Sequence, residues 1–240
     1  MSVKIISGLS RGTVCRLVTF DEESGLCLGQ CRCRYYARLE DRLCYPYKTA
    51  KMRNVAMQDF ALARRAMINN QLRPQGVTDR AVLDAMAAVP REDFVPAEAR
   101  PFAYFDRAIA IEGKGRMMPP TPLAQLLSAA SPLPGERALV VGAAPRYAAA
   151  LLEAIGLEVH QGEPVGPVDL LLIEGAIEQL PKAFADALID GGRVVTALVT
   201  NGVTRLAIGY KTAGTIGWTS FADSEVALLA GFTRPPAFTF

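Results

Sequence analysis

No cysteine follows Cys44 in this chain of 240 residues, and histidine and tryptophan each occur once, as His160 and Trp218. A cysteine-free body fits a reducing compartment and argues against a disulfide scaffold there. Long apolar runs are also missing. None approaches the ~18–20 residues that span a bilayer, which excludes a helical membrane anchor. The first residues, "MSVKIISGLSRGTVCRL", lack an apolar stretch long enough for a secretory signal. Charge of one sign is scarce as well. Lys and Arg exceed Asp and Glu by only two, so nothing in the bulk charge points to nucleic acid. What is present is ordinary globular composition: 50% hydrophobic residues and 21% charged. The expectation is a cytoplasmic protein that binds neither nucleic acid nor membrane.

The average conceals a division. Residues 1–56 carry ten Lys or Arg against five Asp or Glu, and all five cysteines. Cys27, Cys31, Cys33 and Cys44 follow a C-x3-C-x-C-x10-C spacing. That pattern lacks the paired C-x2-C knuckles of common zinc modules, so no metal is expected. "RLVTFDEESGLCLG" has the pattern of a hairpin turning at Glu23–Ser24–Gly25. Charge, cysteine usage and periodicity all change near Met57. Residues 1–56 read as an extension, translated from an upstream start, and 57–240 as the working domain.

The body is regular. "FALARRAMINNQL" places Phe60, Ala63, Met67 and Leu72 at helical spacing, and "RPQG" breaks it. "VTDRAVLDAMAAVP" predicts a second helix, with Thr78 or Asp79 as N-cap and Val82, Leu83, Met86 and Val89 on one face. A loop-like stretch follows, to Pro120. "TPLAQLLSAASPLPGE" predicts a third helix, capped by Thr121 with Pro122 in the first position. Strand and helix then alternate: "RALVVG", "RYAAALLEAIG", "LEVHQ", "VDLLLIEG", "AIEQLPKAFADALIDGG", "RVVTALVT". Gly156 is a C-terminal cap. "VDLLLI" is apolar enough to be covered on both faces, as in a parallel sheet. Asn201–Gly202 is a hairpin turn signal that returns the next strand antiparallel. Alternating β and α units give an α/β domain, a Rossmann-like, mostly parallel sheet with an antiparallel C-terminal hairpin and N-terminal helices.

Five stretches carry a specific likeness: "LRPQGVTDRAVLDAMAAVPREDFVP", "MPPTPLAQLLSAASPLPGERALVVG", "VDLLLIEGAIEQLP", "ALIDGGRVV" and the closing "GFTRPPAFTF". Through them residues 57–240 resemble the protein-L-isoaspartate O-methyltransferase family of class I methyltransferases. The resemblance implies transfer of a methyl group from S-adenosylmethionine to the carboxylate of isoaspartyl residues in damaged proteins. It also implies which positions meet the cofactor. On this alignment Gly142 is the first glycine of the cofactor loop, Ala144 and Arg146 stand at the second and third, and Tyr147 matches a family position. Val140 stands where an acid would pair with the cofactor's ammonium group. Glu163 is the nearest acid to the place that binds the ribose hydroxyls. Glu174 and Gly175 follow the apolar strand at the edge of the sheet where ligands bind; a plain acid at a helix start is the alternative for Glu174. Met118 falls at a family serine that holds the substrate carboxylate, with Arg116 as a substitute because a thioether donates no hydrogen bond.

The text between Gln161 and Leu170 is too short for a helix and strand, so the sheet is expected to lack about one β–α unit. His160, with no catalytic partner, reads as a strand-end surface residue. Two functions follow. One is an active isoaspartyl methyltransferase acting on damaged proteins or peptides. The other is a non-catalytic scaffold that has lost the cofactor and binds an unknown protein partner. The changes at Val140, Ala144, Arg146 and Met118 favour the second.

Overall fold

The computed structural model describes residues 59–111, 113 and 115–234. The cysteine cluster, the hairpin near Glu23, the boundary near Met57 and the last six residues of the closing aromatic run lie outside the described residues.

Helix α1 (Phe60–Met67) starts at Asp59, whose carboxylate accepts from the Leu62 N–H. It widens into a π-helical stretch, Ile68–Leu72, and stops at Gly76, which is left-handed. Helix α2 (Arg80–Ala88) is capped by Asp79 through Val82 and buries Val82, Leu83, Ala85 and Met86. Two short 3-10 turns, Arg91–Phe94 and Ala97–Phe102, lead to a small hairpin of β1 (Ile109–Ile111) and β2 (Gly115–Met117). Sequence pattern read this stretch as loop, because three-residue strands carry no visible period.

Helix α3 (Pro120–Ala130) begins earlier than its sequence signals suggested. The Thr121 N–H donates to Asp106 at 3.0 Å. A carboxylate from a distant loop therefore does the capping that Thr121 was expected to do, and Thr121 becomes part of the helix.

The main sheet contains β3 (Arg137–Gly142), β4 (Glu158–Gln161), β5 (Val168–Ile177), β6 (Leu188–Thr200), β7 (Val203–Thr212) and β8 (Thr215–Asp223). Their order is β4-β3-β5-β6-β7-β8. The first four run parallel, and β7 and β8 return antiparallel. Asn201 and Gly202 both take positive φ at the first of these turns. Helix α4 (Arg146–Ile155) joins β3 to β4 and ends at left-handed Gly156. Only exposed residues 162–167 separate β4 from β5, so no helix and strand intervene, as the short spacing implied, and β4 forms the sheet's edge.

Helix α5 (Lys182–Ala187) is much shorter than the stretch read as helical. Two tertiary pairings decide this. Ala176 is hydrogen bonded in both directions to Ala227 and Leu229, which prolongs β5. Leu188 pairs with Val168, which starts β6 early. Side chains of β3 and β5 alternate between two cores. Val140, Leu170 and Leu172 face the helices α1–α4 side, whereas Leu139, Val141, Leu171 and Ile173 pack with Leu188, Val194 and Phe232.

Candidate functional site

Strand β3 lies between β4 and β5, and the chain crosses from one side of it to the other. This is the switch point of an open α/β sheet, and ligands enter at its carboxyl edge. A cavity of about 520 Å³ opens there. Its walls include Arg116 and Met118 from the hairpin end, Ala143 of the loop after β3, Glu174 and Gly175 of β5, and Val226 from the segment after β8. A larger, more open groove of about 1100 Å³ abuts it and shares Ala108, Pro119, Glu225 and Val226.

The floor is built by close backbone approach. Gly142 pairs in register with Glu174. A Cβ at position 142 would lie 2.7 Å from the Glu174 Cβ, so glycine lets the two strands bring Glu174 to the edge. Gly175 is equally constrained. A Cβ there would stand 2.2 Å from Leu229, which the segment after β8 lays over it.

Glu174 is the chemical centre. It is 2% exposed. Its Oε1 accepts from the Met118 N–H at 3.0 Å, and its Oε2 is buried without a hydrogen-bond partner. Burial pushes its carboxyl up to about 7, against the downward pull of the Met118 N–H and the Arg91 charge. Arg91 is wholly buried beside it. It donates to the carbonyls of Ala103 (2.8 Å) and Met118 (2.6 Å) and stacks over the Tyr147 ring at 4.9 Å. Met118 is thus tied at both backbone atoms, its N–H to Glu174 and its carbonyl to Arg91. Sequence reading assigned Arg91 no role. Its signal is a charged pair, Arg91–Glu92, set among the apolar residues of "VPREDFVP". Glu92 belongs to a neighbouring network, accepting from Arg64 at 3.0 Å and from the Tyr104 hydroxyl.

The expected site residues divide clearly. Glu174, Gly175 and Met118 line the cavity, Gly142 pairs with Glu174 beside it, and Arg116 lines its mouth, with an exposed side chain that donates to the Ala108 carbonyl at 3.3 Å. Ala144 is buried and keeps negative φ, as do its neighbours in the loop. Tyr147 points away from the cavity into the core, where burial raises its phenol to about 12. Glu163 is exposed in the 162–167 loop and lines none of the cavity's walls. His160 is half-buried on β4, 3.6 Å from Glu158, and also lies off the cavity.

The structure removes two costs that the loop's composition implied. A methyl group at Ala144 brings no left-handed strain, because the turn does not use positive φ there. Arg146 is exposed, so its charge is solvated. Val140 remains a true loss: it is fully buried in the helix-side core.

Comparison with known proteins agrees with this architecture. Residues 63–166 match the sequence model of the family Protein-L-isoaspartate(D-aspartate) O-methyltransferase. The protein-L-isoaspartate O-methyltransferase of Koribacter versatilis is 31% identical over 205 residues, covering 72% of this chain and 92% of that protein. The protein of the same name from Methylorubrum extorquens is 34% identical over 182 residues, covering 62% and 80%. A solved Plasmodium falciparum structure, described as a protein-L-isoaspartate O-methyltransferase in complex with S-adenosyl-L-homocysteine, superposes with TM-score 0.58 at 14% identity, covering 71% of this chain and 97% of that one. Another solved protein-L-isoaspartate O-methyltransferase gives 0.59 at 16% identity, covering 70% and 66%. Fold, strand-edge cavity and sequence relatives agree: the chain belongs to the protein-L-isoaspartate O-methyltransferase family.

Proposed function

We propose that this chain is an S-adenosylmethionine-dependent methyltransferase acting on the carboxylate of isoaspartyl residues in proteins and peptides, and that residues 57–240 carry the activity. The observation that supports it most is the cavity at the switch point, which Met118, Pro119, Glu174 and Gly175 from the family-like segments help to wall and whose Glu174 has a buried carboxyl oxygen without a partner. That orphaned atom makes the cavity a fit place for a ligand with a positive group. The loop from Gly142 to Pro145 supports the same reading, since it turns onto α4 without strain.

S-adenosylmethionine, when bound, supplies the electrophilic methyl group. The chain's own residues bind, orient and exclude water. Gly142, Ala143, Glu174 and Gly175 form the strand-edge floor. Met118, held by Arg91 and Glu174, shapes the wall between cofactor and substrate without donating a side-chain hydrogen bond. Arg116 is the cation at the mouth that would meet a carboxylate. The adjoining groove is open enough to take the polypeptide on either side of the reacting residue. Positioning of two reactants in a dry cleft is the main contribution such a site makes.

The test is transfer of labelled methyl groups to an isoaspartyl peptide, with the matching aspartyl peptide as control. Methylation of the first alone is the expected result. No transfer at high enzyme concentration, with a cooperative melt showing the chain folded, would refute the proposal. The chain is expected to work in the cytoplasm; among the described residues no helix is long and apolar enough to cross a membrane.

A further inference from the structure

The acid that the family places at the end of β3 is replaced here by Val140, fully buried in the helix-side core. No change of rotamer brings an aliphatic side chain to serve a cation. Yet an acid stands close by. Val140 pairs with Leu172, and two residues further along β5 is Glu174, opposite Gly142. One strand across is about 4.8 Å, and two residues along are about 6.6 Å. A glutamate side chain spans much of that offset. We propose that Glu174 has taken over the binding of the cofactor's ammonium group, so that the acid of this site sits on β5 instead of β3. The inference rests on the proposed cofactor.

Three features carry it. Glu174 lines the cavity, and its Oε2 is buried without a partner. Its Oε1 is fixed by the Met118 N–H, so the carboxyl is already oriented. Glycine at 142 leaves the space its side chain needs. The charged and titratable groups around it are Arg91, the Tyr147 phenol stacked on Arg91, and Arg116 and Glu225 on other walls of the cavity. Arg91 acts on Glu174 through its charge without forming an ion pair with it; its Nε and Nη2 donate to the carbonyls of Ala103 and Met118, and its Nη1 is buried without a partner. A bound ammonium would give the carboxylate its missing partner. Binding should therefore draw a proton off Glu174, since burial favours its neutral form in the free protein.

The experiment is calorimetric titration of the full chain with two ligands. One is S-adenosylhomocysteine. The other is S-adenosyl-4-thiobutyrate, identical but for the missing amino group. The unsubstituted chain is expected to bind the first at least about tenfold more tightly, as for a charge-assisted hydrogen bond. Glu174→Gln should erase that preference while leaving the affinity for the thiobutyrate unchanged. Affinity of the unsubstituted chain for S-adenosylhomocysteine should rise between pH 6 and pH 8, with proton release seen as a dependence on buffer ionisation enthalpy. Equal affinity for both ligands in the unsubstituted chain overturns the assignment without any variant. So does a folded Glu174→Gln variant that keeps the preference. Failure of the unsubstituted chain to bind either ligand overturns the proposed function itself.

Discussion

Glu174→Gln makes a second prediction that requires no ligand. A carboxyl with an ordinary value of 4.5 is raised to about 7 in the folded chain, chiefly because burial disfavours its charge. A raised carboxyl opposes folding at high pH. Its contribution is harmless below the unfolded value of 4.5 and becomes a penalty as pH climbs through about 7. Linkage puts the penalty below about 1 kcal/mol at pH 5 and near about 3 kcal/mol at pH 8. Glutamine keeps the acceptor for the Met118 N–H and removes the titration. The difference in unfolding free energy between variant and parent should therefore shift by about 2 kcal/mol in the variant's favour from pH 5 to pH 8. Urea denaturation followed by the fluorescence of Trp218 at several pH values measures it. All other titrating groups cancel in the difference. A variant-minus-parent curve that stays flat from pH 5 to pH 8 would refute the reasoning, because it would mean the buried oxygen is already solvated or paired in the folded protein.

Restoring the missing glycine with Ala144→Gly should not help. The residue has negative φ, so the change relieves nothing and should cost about 0.5–1 kcal/mol in chemical denaturation, with S-adenosylhomocysteine affinity unchanged by calorimetry. Gly175→Ala should destabilise by about 1–3 kcal/mol, because its Cβ meets Leu229 at 2.2 Å. In a double-mutant cycle Leu229→Ala should recover part of that loss, and full additivity would contradict the contact. Arg193→Ala breaks a tie from β6 to Glu136 and to the carbonyls of Ala130 and Ser131, and is expected to cost about 1–3 kcal/mol, discounted for its partial exposure. Burial works against the charge of Glu136, but the bonds from Arg193 and the Leu133 N–H outweigh it and hold its carboxyl below 4.5. This contribution is present above that value and is lost as pH falls, so the parent and Arg193→Ala stability curves should converge in acid.

Much of the fold could be read from local pattern because the physics there is local. Asp79 caps α2 where a short acceptor precedes an apolar period, Gly156 closes α4 where only glycine turns left-handed at little cost, and Asn201–Gly202 turns β6 into β7. The apolar run of "VDLLLI" announced a strand covered on both faces, and the short text before it announced a missing β–α unit. Of the expected site positions, Met118, Glu174 and Gly175 line one cavity with Gly142 paired to Glu174, whereas Ala144, Tyr147 and Glu163 do not line it. What those residues do there depended on tertiary structure. Whether Ala144 is strained rests on a turn whose φ values spacing does not encode. Whether Arg146 disturbs the site rests on which way one turn of helix faces. The start of α3 followed Asp106, the end of β5 followed Ala227 and Leu229, and the state of Glu174 followed its burial beneath Met118 beside Arg91. Each of these is set by groups far away along the chain. The sequence by itself therefore determined most of the elements, their order and the family. Only the tertiary structure decided where the site's charge resides, because desolvation and hydrogen-bond partners exist only once distant segments have met.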